Sequence, residues 1–152
     1  MERLKDQLEE IKKLIAMGPI HNIAVSQVNT YWHLDHTLQV IHGIPQALKD
    51  SDPKAYSPKF SFVKFMIMTF KRIPRGKGRS PKHIMPEGNI SKEELNQWLT
   101  SAKEDLKSIE HLASNCYFEH PLFGHLNVKE AEKFLWIHTH HHLKIVRDMI
   151  KN

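Results

Sequence analysis

Residues 128–150 read VKEAEKFLWIHTHHHLKIVRDMI, with His138, Thr139, His140, His141 and His142 in succession near the middle. Apolar residues recurring three and four apart predict one long helix there. At about 100° per residue, His138 and His142 share a stripe with Ala131, Phe134, Leu135, Ile145, Val146 and Met149. That stripe is the one a helical bundle buries. Two imidazoles within it need hydrogen-bond partners or a metal, because an unpaired polar group in an apolar interior costs on the order of a few kcal/mol. A further ligand must then come from elsewhere in the chain. His140 points off the stripe toward solvent, and His141 lies at its edge, where it can support a ligand or replace one.

Outward from this helix, Asn127 with Glu130 forms a start signature, and Asn115 to Leu126, containing His120-Pro121-Leu122-Phe123-Gly124, reads as a compact connection. Ser91 with Glu94 forms a capping box that opens a helix carrying Leu95, Trp98, Leu99, Ala102, Leu106, Ile109 and Leu112 to about Ala113. Before it, Lys71 to Glu87 holds Pro74, Gly76, Gly78, Pro81 and Pro86 and reads as an irregular loop. Lys71, Arg72, Arg75, Lys77, Arg79 and Lys82 make that loop basic. Over about 59–72 the apolar residues from Phe60 to Phe70 cover nearly every helical direction, so this third helix is either central or covered by a second subunit, and a homodimer contact is the favoured reading.

Residues 50–58 read as a loop. A second helix is expected from Ser26, a good N-cap, to about His42, with Gly43 and Pro45 implying a break or kink. On it His33 sits at the edge of an arc with Leu34, Val40, Ile41 and Ile44, whereas His36 lies further toward the polar side. Leu4, Leu8, Ile11 and Ile15 predict a first helix from residue 2 to about 17, ended by Gly18-Pro19. No internal repeat, heptad seam or strand pair stands out. The expectation is an all-α bundle in one domain, residues 1–152.

The single cysteine, Cys116, excludes an intramolecular disulfide and a multi-cysteine zinc site, so metal chemistry here would use nitrogen and oxygen ligands. Histidine is the abundant donor, with 12 residues among 152, and the net charge of +5 resides partly in the basic loop. The apolar run at Phe60 to Phe70 is too short to cross a bilayer, and Met1-Glu2-Arg3 opens on charge, so no membrane association and a cytoplasmic location are expected. Nucleic-acid binding is not expected, since the basic loop lacks an interleaved aromatic platform. The loop is either solvated or attracts an anionic co-substrate.

His33 with His138 and His142 would form a three-nitrogen metal site between two helices. Neutral imidazole suits zinc, nickel, copper or iron, and three protein ligands leave a position for water or substrate. Such a metal can polarise a bond, lower the pKa of bound water or hold a thiolate. No glutamate follows His138 as in H-E-x-x-H, so a metalloprotease would lack its base. Asp35, His36, Glu119, His120 and His141 are the candidate catalytic acids and bases. The alternative is a non-catalytic dimeric binding or structural protein whose histidines are hydrogen-bonded in the core to Thr37, Asp35 or backbone carbonyls.

Three segments carry a resemblance: Ser26-x6-His33-Leu34, then His120-Pro121-Leu122-Phe123-Gly124-His125-Leu126, then His138-x3-His142-Leu143. Their order resembles the DinB-like (DinB/YfiT-like) superfamily of metal-dependent four-helix-bundle proteins, in a branch with an HPxFG loop before the last helix. The resemblance implies an up-down-down-up bundle of residues 2–17, 26–49, 91–113 and 128–150, with 59–72 as an extra short helix in the crossover. It implies a divalent metal, commonly nickel or zinc, on His33, His138 and His142, and frequent homodimers. Characterised relatives include transferases that use a low-molecular-weight thiol as co-substrate and thiol-dependent isomerases, so a small-molecule substrate and a metal-dependent transferase or hydrolase activity are implied. The chain departs from that pattern: it has no tryptophan just before the second helix, where Asn22 stands, Leu143-Lys144 in place of Arg-Gly, and His140 where an aspartate is common. Those departures bear on the substrate pocket more than on the metal.

Overall fold

The computed structural model describes residues 2–76 and 89–151. Among them the chain is mostly helical: α1 (Glu2–Ala16), α2 (Thr30–Asp50), α3 (Phe62–Phe70), α4 (Lys92–Ser108) and α5 (Val128–Lys151). One antiparallel hairpin, β1 (Tyr117–His120) with β2 (Gly124–Asn127), joins α4 to α5. Both α1 and α2 lie against both α4 and α5. A single cluster of apolar side chains runs through them, from Leu4 on α1 to Val146 on α5. No helix of the described residues is long and apolar enough to cross a membrane.

α1 buries the stripe Leu4, Leu8, Ile11 and Ile15, and its last turn closes through Met17 and Gly18 amides donating to Leu14 and Ile15 carbonyls. Gly18 then adopts φ +81°, a left-handed conformation that a side chain disfavours and that ends the helix.

α2 corrects the sequence expectation at both ends. Its N-cap is Asn29, whose side-chain oxygen accepts from the Trp32 amide at 2.9 Å. Ser26 lies before the helix and its hydroxyl is bonded to His33 instead. Thr30 explains the later start: its amide and hydroxyl both bond the backbone of Ile20, pinning the preceding segment as non-helical chain. At the other end the helix runs through Gly43 and Pro45 to Asp50. An internal proline costs about 3 kcal/mol, but Ile44, Pro45 and Leu48 are all buried here. Packing on several sides offsets that loss.

The connection 115–126 also differs from expectation, since a strand pair lies within it. Phe118 pairs with Leu126, both buried, and the Phe123 amide donates to the His120 carbonyl to close the turn. Pro121 sits where a proline presets the turn, and Gly124 takes φ +66°. Strands of four residues are too short to show periodicity, which is why the sequence reads as an irregular connection.

The capping box of α4 is present, with Ser91 and Glu94 bonded reciprocally. The helix stops at Ser108 and continues as a short 3-10 turn, Ile109–His111, short of the expected Ala113. At α5 the Glu130 amide donates to Asn127 Oδ1 and the Asn127 amide to Glu130 Oε2. α3 is shorter than the expected 59–72, and none of its residues is fully buried. Of the basic loop, Arg75 is paired with Asp148 at 2.5 Å; Lys77, Arg79 and Lys82 lie outside the described residues.

Candidate metal centre

The packing of α2 on α5 brings four imidazoles together. From α5 come His138 and His142, one turn apart, with ring centroids 4.6 Å from each other. From α2 come His33 and His36, three residues apart and so on one side of that helix. His36 stands 5.1 Å from His138 and 4.8 Å from His142, centroid to centroid. His36, His138 and His142 each offer a ligand atom, and those atoms all lie within 4.8 Å of one another.

The structure thus places His138 and His142 together, as their spacing suggested, but their partner in that group of three is His36. His33 touches only one edge of it: His33 Nδ1 lies 3.0 Å from His142 Nδ1, and His33 Nε2 lies 2.9 Å from Ser26 Oγ. One of the two Nδ1 atoms therefore donates to the other. The expectation that His36 faces a polar side is corrected, since it is 1% exposed. The cause is the position of α2, which is packed against α4, α5 and α1 and has no broad polar side.

The electrostatics favour neutral rings. Burial, then the neighbouring His36, His141 and Arg75, pushes His33 down to about 4. Burial holds His138 well below the usual imidazole range, with His36, His141 and His120 adding to it. His142 is held low by burial and then by His138, His36 and His33. Uncharged imidazoles carry the lone pairs that a cation needs. Among the described residues, Nδ1 of His138 is buried without a hydrogen-bond partner, which at a neutral nitrogen ordinarily costs on the order of 1–3 kcal/mol.

That atom tests the fit of a metal. Metal–nitrogen bonds of about 2.1 Å in a tetrahedral site set the ligand nitrogens about 3.4 Å apart. Atoms within 4.8 Å of one another reach that spacing when small side-chain rotations draw them together by up to about 1.4 Å. One nitrogen each from His36, His138 and His142, on two helices, can hold a metal ion.

Aromatic rings wall the group. Trp32 stacks on His36 at 5.2 Å and 18°, and Phe134 lies 5.6 Å from His138. Behind Phe134 sits His120, stacked on Phe123 at 3.9 Å, with Nδ1 accepting from the Leu122 amide. Burial pushes His120 down to about 4. His141 is half-buried beside His142, bonded to the Ile73 backbone, and shifted downward by burial and then Arg75. Asp35 is buried but bonded to Gln39, and burial raises its pKa. Glu119 is exposed on β1, opposite His125. Neither carboxylate belongs to the three-histidine group.

These depressed values set a pH dependence. Below pH 6.5 the unfolded chain protonates His33 and His120, whereas the folded chain does so only near 4. Stability is therefore full above about pH 6.5 and falls on acidification, by roughly 1.4 kcal/mol per pH unit for each such histidine. Urea unfolding of metal-free protein at pH 7 and pH 5 measures it. An unchanged midpoint would contradict the burial of these rings.

The signal for His36 was present in the sequence as Trp32-His33-Leu34-Asp35-His36, two histidines at i and i+3. No curated protein and no solved structure matches the chain. Over residues 1–149 the chain matches the family described as Protein of unknown function (DUF1569), and it belongs to that family.

Proposed function

We propose that the chain is a divalent-metal-binding helical bundle of the DinB-like type, acting as a metal-dependent enzyme on a small-molecule substrate. The orphaned Nδ1 of His138, buried beside His36 and His142, is the observation that carries this reading. An up-down-down-up course for α1, α2, α4 and α5, with α3 in the crossover between α2 and α4, fits the observed element order.

In this reading His36, His138 and His142 are the ligands. His33 is assigned a different role from the one its place in the resemblance implies. In the tautomer that the role requires, His142 Nδ1–H donates to His33 Nδ1, which leaves the Nε2 lone pair of His142 for the metal and fixes that ring's orientation, while Ser26 Oγ accepts from His33 Nε2–H. Trp32 and Phe134 exclude water from the flanks and present an apolar wall to a substrate. Three imidazole nitrogens suit zinc or nickel, which when bound would supply Lewis acidity and an open position for water or a low-molecular-weight thiol. Transferase and hydrolase chemistry both use such a position. Beyond His33, His141 lies against His142 and His120 lies behind Phe134, and these two are the proton carriers proposed here.

Zinc titration against a competing chelator tests this. Wild type is expected to bind one zinc per chain, and His33→Asn to bind it roughly 10–100-fold more weakly. An affinity unchanged in His33→Asn removes the positioning role, and no saturable zinc binding by wild type removes the whole reading. A second reading is favoured by the Ser26–His33–His142 chain of hydrogen bonds. There the histidines are structural, and neither zinc nor a thiol-dependent reaction with epoxides or activated aryl halides is observed.

A further inference from the structure

α3 is a helix with no buried face. Phe60 is 84% exposed, Phe62 65%, Phe65 53% and Phe70 66%, with Val63 and Met66 also open to solvent. Leu122, at the hairpin turn, is 64% exposed and adjoins them, because its carbonyl accepts from the Ser61 hydroxyl at the start of α3. Only Ile67 and Met68 turn partly toward the core. The one charge within the segment, Lys64, is turned inward to Glu130 at 3.1 Å. The outward surface from Phe60 to Phe70 is thus continuous, aromatic and uncharged at its centre, with Lys59, Lys71 and Arg72 exposed at its ends.

We propose that this surface is covered by the same surface of a second copy of the chain, two α3 helices packing about a two-fold axis. Area favours this occupant. Large apolar side chains exposing more than half their surface, together with Leu122, offer on the order of 800 Å² from one copy, which is what each partner of a stable interface buries. It is more than the largest apolar patch of an ordinary monomer, roughly 300–600 Å². Shape favours it as well. Phe62, Phe65, Met66 and Thr69, at i, i+3, i+4 and i+7, form a ridge on the free side of α3, and such ridges interlock when two helices pack. A two-fold pairing needs the patch to be its own complement, and an uncharged centre leaves no buried charge unpaired. The cations stand at the ends, where solvent screens their mutual repulsion.

Self-association is therefore expected to tighten as salt rises. Attraction of the same patch and cations to an anionic lipid surface would weaken with salt. Sedimentation equilibrium of the untagged full chain at micromolar concentration is expected to give twice the 17.8 kDa chain mass. The double substitution Phe62→Asp with Phe65→Asp should give a monomer with unchanged helical circular dichroism, because both rings are exposed. Phe70→Asp is an independent variant that should weaken the dimer at least tenfold. A wild-type monomer at 100-fold higher concentration would overturn the proposal. So would a dimer indifferent to all three substitutions, or a monomer that floats with phosphatidylserine vesicles. Zinc content is read in parallel, and a monomeric variant that keeps its zinc separates this interface from the histidine site.

Discussion

His142→Ala is expected to lower zinc affinity by at least roughly 100-fold and to abolish the thermal stabilisation by zinc that is expected of the wild-type chain. His142 lies against each of the other three rings, His36 and His138 across the candidate site and His33 behind it. Its loss removes one nitrogen of the three and leaves His33 Nδ1 without the atom it now bonds. Two nitrogens on separate helices do not hold a borderline cation at physiological concentrations against water and cellular chelators. At zinc 100-fold above its dissociation constant, binding adds about 2.7 kcal/mol of stability. For a chain of this size that raises the unfolding midpoint by roughly 5–10 °C. The variant should show no zinc-dependent rise above its own metal-free midpoint, which the void and the unpaired His33 Nδ1 set below that of wild type. A zinc-dependent rise equal to wild type in His142→Ala would place the cation elsewhere.

Leu38→Ala is expected to cost about 3 kcal/mol and to lower the unfolding midpoint by roughly 10 °C. Leu38 is fully buried near the middle of α2, the helix that lies against α4 and α5 and carries His33 and His36. Truncation there leaves a void between helices that cannot collapse without moving the site. Urea unfolding measures the effect as a lower midpoint at an unchanged slope. Leu122→Ala is the contrast, since Leu122 is mostly exposed at the hairpin turn and should change the stability of the monomer by less than about 0.5 kcal/mol. Equal effects from the two leucines would contradict the placement of the core.

What could be read from residues alone follows from the length of the signal. α1, α4 and α5 each repeat an apolar stripe over several turns and carry a cap or stop residue, and their existence was legible. His138 and His142 were legible for the same reason, being four apart on such a stripe. His36 was not, because a stripe assigns an inward side only when a helix has an outward one. α2 is buried around most of its circumference, so an arc drawn through Leu34, Val40 and Ile41 understates what faces inward. Ser26 and Asn29 are equally good N-caps by residue type, and only the tie between Thr30 and Ile20 decides between them. The persistence of α2 through Pro45 depends on neighbours far away in sequence. The hairpin from Tyr117 to Asn127 was hidden by strands of four residues, although Pro121 and Gly124 mark its turn.

The central claim is that His36, His138 and His142 grip one cation between α2 and α5. Elemental analysis of untagged, freshly purified protein tests it most directly, with His36→Ala and His142→Ala beside His140→Ala, whose ring stacks on Trp136 away from the group. The expected result is close to one divalent cation per chain in wild type and in His140→Ala, and almost none in the other two. Sub-stoichiometric metal that is the same in all four proteins would contradict the claim.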